Sequence, residues 1–169
     1  MAETATDTAN SDECSKLGVS IQIYSVWFLV IGFATFANYF SLIGNGKLTF
    51  GVGLFIPQIL AEASSMVNRG YMHDENLQAK ATAMASTSTV VFCLMPLVFF
   101  FFAHSKYSWP FVLGVFLYAI DALMFLMAIQ VVSAAVHLIG IFLMARGAIC
   151  CRKLRKLQEL ESFEPDYTE

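Results

Sequence analysis

Charge is scarce in this 169-residue chain: only 14% of its residues are Asp, Glu, Lys or Arg, against about a quarter in soluble domains. That shortage, with 57% hydrophobic content and a mean hydropathy of +0.64, excludes an ordinary soluble domain and indicates an integral membrane protein. Enzyme signatures are missing as well. There is no H-E-x-x-H, no G-x-S-x-G, no Walker-type glycine-rich loop and no C-x-x-C pair. The polar segments are too short to hold a catalytic domain, so no enzymatic activity and no cofactor are expected. The cysteines Cys14, Cys93, Cys150 and Cys151 have neither a disulfide framework nor zinc-type spacing. A nucleic-acid footprint is also lacking, since the net charge is -3 and the basic residues cluster beside one apolar segment. The N-terminus has no positive n-region of a secretory signal peptide.

Long apolar runs fill the space that charge leaves. The acidic, small-residue stretch over residues 1–18 cannot bury enough apolar surface to order itself and is predicted to be a disordered tail. A first span is expected at about 21–43, with Tyr24 and Trp27 near one end, Tyr39 near the other, and Asn38 as a helix-packing hydrogen-bonder. Gly44, Asn45 and Gly46 mark a reversal. A second span at about 48–67 contains Gly51, Gly53 and Pro57, with Gln58 and Glu62 four apart on one face. The hydrophilic stretch 68–80 follows. Its neighbouring His73, Asp74 and Glu75 have no second cluster to complete a metal site, so no metal is expected. A third span, at about 83–103, opens on small Ala, Ser and Thr residues that permit close helix approach, carries Pro96, and ends with His104 at the interface.

The run from Trp109 to Arg146 organises the rest. As one helix it would be roughly 57 Å long, nearly twice the hydrocarbon thickness of a bilayer. It reads as two antiparallel spans, 111–129 and 132–149, joined by a tight turn near Gln130. Asp121 and His137 then lie roughly 10 to 13 Å below the turn and can face each other inside the membrane. Ionisable groups at that depth cost at least ~2.5 to 3.5 kcal/mol on insertion scales, so each needs a partner. Glu62, Gln58 and Tyr118 are the candidates to complete an intramembrane polar cluster with Asp121 and His137. His104 falls at the opposite interface from His137, so the two cannot share a haem iron.

Arg152, Lys153, Arg155 and Lys156 follow the last apolar segment directly, which is the mark of a cytoplasmic boundary and a surface for anionic lipid. Residues 150–169 therefore read as a basic, then acidic, cytoplasmic tail. Leu154, Leu157 and Leu160 could continue the last helix for a turn or two. The fold class is an all-α polytopic transmembrane bundle of five spans, with the N-terminus outside. The alternative is four spans with one long last helix over 109–146 and the N-terminus inside.

The run W-x-F-x-x-G-x-x-L-Y-A-x-D-A-L-x-F-L from Trp109, followed by a His and a Gly, resembles the C-terminal half of small polytopic bacterial membrane proteins of uncharacterised function. SLIGNGKLTFGVGLFIPQIL looks like their second helix and the loop before it. The resemblance implies a prokaryotic inner (plasma) membrane protein with paired final helices and brings no activity with it. Two functions are expected. One is a structural or accessory protein that associates with lipids, with other membrane subunits or with itself. The other is a small proton- or cation-coupled transporter or channel that uses the Glu/Asp/His cluster.

Overall fold

The computed structural model describes residues 3–43, 51–66 and 75–163. Five helices follow in order: α1 (Glu3–Ile43), α2 (Phe55–Met66), α3 (Glu75–His104), α4 (Trp109–Met127) and α5 (Val131–Phe163). No strand occurs among the described residues. The chain is thus an all-α polytopic bundle. Among the described residues four segments are long and apolar enough to cross a membrane: Asp12–Ser41, Thr82–His104, Trp109–Met127 and Val131–Leu160.

Among the described residues four spans stand in place of the expected five, because the described α2 has 12 residues and is only about 18 Å long. The four-span alternative with one rod over 109–146 is also overturned. The rod breaks at Ala128–Gln130, where the amide of Ile129 donates to the carbonyl of Leu126 at 3.0 Å and that of Gln130 to Phe125 at 2.9 Å. This is a Schellman cap, and it places Ile129 in the left-handed region at φ 59. The end of α3 is closed the same way, with Lys106 at φ 68, its amide on Ala103 and that of Tyr107 on Phe102.

Other boundaries move outward. α1 begins at Glu3, so most of the stretch expected to be a disordered tail is helical. α5 runs on to Phe163, well past the expected end at 149, and α3 starts at Glu75. Burial accounts for the inner part of the first two extensions: Cys151 and Leu154 of α5 are core residues, and Cys14 and Leu17 of α1 pack against the same core cluster. Leu154 is buried, Leu157 half-buried and Leu160 exposed, so the apolar side of the α5 extension fades toward its end. The first reversal at 44–46 and the polar residues 68–74, including His73 and Asp74, lie outside the described residues.

The four long helices α1, α3, α4 and α5 alternate in direction. Tyr39 on α1 meets Ser86 on α3 at one end, and Ser25 meets His104 at the other. α4 and α5 form the antiparallel hairpin. Phe28 on α1 packs against Phe99 on α3 and Phe111 on α4, each at 5.6 Å between ring centroids. A side chain at Gly114 would collide with Phe28 and Met144, and one at Gly140 with Trp27 and Tyr118. Small residues thus let the backbones approach where no water drives association. The beginning of α1 and the end of α5 lie at one end of the bundle. The hairpin tip and the α2 region occupy the other.

Candidate functional site

α2 positions the site because it starts inside the bundle. The chain comes in from the end of α1, passes through Gly51–Leu54 without regular structure, and begins α2 at Phe55 beside Asp121. It must then return toward the same end. The nine chain steps from Met66 to Glu75 reach at most about 32 Å, less than the roughly 45 Å of the 30-residue α3 that a return from the opposite end would have to climb. α2 is a re-entrant half-helix.

Backbone groups at such a buried start have no water to satisfy them, and each would cost several kcal/mol unpaired. Side chains from α1 and α4 supply the partners. Tyr118 Oη donates to the carbonyl of Val52 at 2.7 Å. The amide of Leu54 donates to Thr35 Oγ1 at 3.0 Å, while the Thr35 hydroxyl donates to Ile31 on its own helix at 2.8 Å. The amide of Phe55 donates to Asp121 Oδ1 at 2.9 Å and to Oδ2 at 3.2 Å. A carboxylate on α4 therefore caps α2, as an Asp N-cap caps its own helix, at the positive end of the helix dipole. Gly53 is required here by space: a Cβ would collide with Asn38 Nδ2 and lie 3.1 Å from the Ala34 backbone.

His137 completes the arrangement. Its Nε2 lies 2.8 Å from Asp121 Oδ2, and its Nδ1 lies 2.8 Å from the carbonyl oxygen of Ser133. A carbonyl only accepts, so Nδ1 carries a proton. One further proton then lies between Nε2 and Oδ2, whether as an imidazolium with a carboxylate or as a neutral imidazole with a carboxylic acid. Either way the pair is neutral as a whole. That is how two ionisable groups, 0% and 5% exposed, are held among apolar helices. Tyr118 stacks on the imidazole at 3.9 Å between centroids, and Phe125 lies 4.8 Å away on a tilt. Phe55 packs against Phe125 at 4.7 Å, closing the wall.

Of the residues singled out from sequence, the structure brings together Asp121, His137 and Tyr118. Gln58 is buried one turn along α2, and its Nε2 has no hydrogen-bond partner among the described residues. Glu62 does not join them. It is exposed, about two turns from Phe55 on the way out of the bundle, because α2 climbs away from the pair instead of running alongside it. His104 sits at the far end, 3.5 Å from Ser25 Oγ. Arg152, Lys153, Arg155 and Lys156 are all exposed on the α5 extension. Sequence reasoning missed Thr35, 1% exposed; its only signal was a hydroxyl within an apolar span. No group of three or more His, Cys, Asp or Glu able to hold a metal occurs among the described residues.

The polar network is closed on itself. Phe55, Leu54, Val52, Asp121, His137, Tyr118 and Thr35 satisfy one another, and apolar rings wall the pair. What this arrangement can do chemically is hold a half-helix by its buried end. No protein-family model, curated protein or solved structure matches the chain.

Proposed function

We propose that this is a structural or accessory protein of the inner (plasma) membrane, in which the Asp121–His137 clamp holds the re-entrant α2 in place. It associates with lipids, other membrane subunits or copies of itself, and it performs no catalysis. The observation that carries the reading is the bond from the Phe55 amide to Asp121 while His137 holds the same carboxylate. Both imidazole nitrogens and both carboxyl oxygens already have partners within the protein, which supports a holding role for the pair. The terminus-bearing end faces the cytoplasm in this reading, because seven of the eight described Lys and Arg lie there.

A second reading has one observation behind it. Half-helices that start inside a bundle are the elements from which transporters build ion and substrate sites. A proton- or cation-coupled carrier would use the Asp121–His137 proton. Asp121→Asn separates the two readings, since an amide can accept from Phe55 and donate to His137 without being able to titrate. Proton flux is compared in vesicles that contain wild type or Asp121→Asn, alongside native-membrane purification in mild detergent. Equal background leak in both, with the protein retained in a larger assembly, supports the accessory role. Flux in wild type that vanishes in Asp121→Asn at unchanged stability would replace it with transport.

A further inference from the structure

The fold gathers cations from three separate segments at one end: Lys16 on α1, Lys106 in the α3–α4 turn, and Arg146, Arg152, Lys153, Arg155 and Lys156 on α5. All seven are exposed, and none makes an ion pair with another described residue. The turn joins the other two segments. A Cβ built at Gly18 on α1 would lie 3.7 Å from Lys106 Nζ, and the carbonyl of Tyr107 accepts a weak bond from Cys151 Sγ of α5 at 3.8 Å. Tyr107 and Trp109 are exposed and pack edge-on or tilted against Phe102 at 5.9 and 5.2 Å, which makes an aromatic belt at this level.

Height along α5 follows from that register. Cys151 is level with Tyr107, so Arg152 and Lys153 stand at the belt and Arg155 and Lys156 about one turn beyond it. The exposed acids of the same end stand farther out: Glu159 follows Lys156, and Asp12 and Glu13 precede Lys16. Positive charge next to the bilayer with negative charge behind it complements a negatively charged lipid surface, and it does not suit a neutral one. We infer that this rim is a binding surface for the headgroups of anionic phospholipids, recruited by all three segments together. The inference rests on the four helices crossing a membrane and is independent of the Asp121–His137 clamp.

The test uses full-length protein reconstituted in phosphatidylcholine vesicles that contain about 30% phosphatidylglycerol, a fraction that gives an anionic surface. Lipids retained after mild detergent extraction are counted by native mass spectrometry. Wild type is expected to retain phosphatidylglycerol over phosphatidylcholine by roughly tenfold, the scale of one or two near-surface cations. The preference is expected to fall toward unity in the combined Arg152→Gln, Lys153→Gln, Arg155→Gln, Lys156→Gln variant and in about 0.5 M salt. Lys80→Gln, at the opposite end, should leave it unchanged. Lys16→Gln with Lys106→Gln, two exposed positions outside α5, should lower it in part and serves if the fourfold variant does not fold. Equal retention of both lipids, a preference insensitive to every rim substitution, or equally tight capture of a soluble polyanion such as tRNA would overturn the inference.

Discussion

Asp121 on α4 caps the first amide of a helix 66 residues earlier in the chain, with Oδ1 2.9 Å from the nitrogen of Phe55. The same carboxyl group holds His137 of the following helix at 2.8 Å. One side chain thus joins the half-helix to both arms of the hairpin, and its geometry has consequences that can be measured.

Tyr118→Phe removes the hydroxyl that satisfies the Val52 carbonyl and keeps the ring stacked on His137. An unpaired buried acceptor costs about 1 to 3 kcal/mol. The expected result is a drop in melting temperature of roughly 2 to 10 °C in detergent. An unchanged midpoint would show that Val52 is satisfied without Tyr118.

Ile129 occupies the left-handed position of the α4 cap at φ 59 and is 85% exposed. A β-branched residue there costs about 1 to 2 kcal/mol that glycine does not. Ile129→Gly should therefore stabilise the protein by about 1 kcal/mol, net of the flexibility that glycine adds to the unfolded chain. Ile129→Val should not. Thermal denaturation of the two variants side by side checks the difference.

Gly53→Ala should destabilise by about 1 to 3 kcal/mol, because the new methyl group meets Asn38 and the Ala34 backbone in a closed space. The loss is read from the same melting curves. A neutral result would mean that the residues around Gly51–Leu54 can move aside.

The hairpin and its pair were legible in the sequence because an apolar run of double length has to fold back, and a lone acid and imidazole within it have to meet. The half-helix was not. Residues 48–67 have the length and apolarity of a span, and what shortens α2 is supplied from elsewhere, by Thr35, Tyr118 and Asp121. Gly51, Gly53 and Pro57 were the visible signal, since glycine and proline interrupt the apolar segments that form broken helices. Glu62 was misassigned for the same reason: a spanning α2 would carry it past Asp121, whereas the re-entrant one carries it away. The helix around Cys14 and Leu17 was not legible because the core cluster it packs against includes Cys151 and Leu154, from the far end of the chain.

Re-entry leaves the end of α1 on the same side of the membrane as the hairpin tip, whereas a spanning α2 would put them on opposite sides. Ser41→Cys at the end of α1 and Gln130→Cys at the tip, each in a background without native cysteines, should be labelled by an impermeant reagent from the same side. Labelling from opposite sides would restore a five-span topology.

The most direct measurement is the melting temperature of wild type, Asp121→Asn and Asp121→Leu under identical conditions. Asparagine can present its oxygen to Phe55 and its amide to His137, so Asp121→Asn should stay within about 2 °C of wild type. Leucine leaves the Phe55 amide and His137 unpaired inside the bundle, and Asp121→Leu should fall by roughly 10 °C, the scale of 3 to 5 kcal/mol. If both variants fell equally, or neither moved, Asp121 would not be the cap that holds the half-helix.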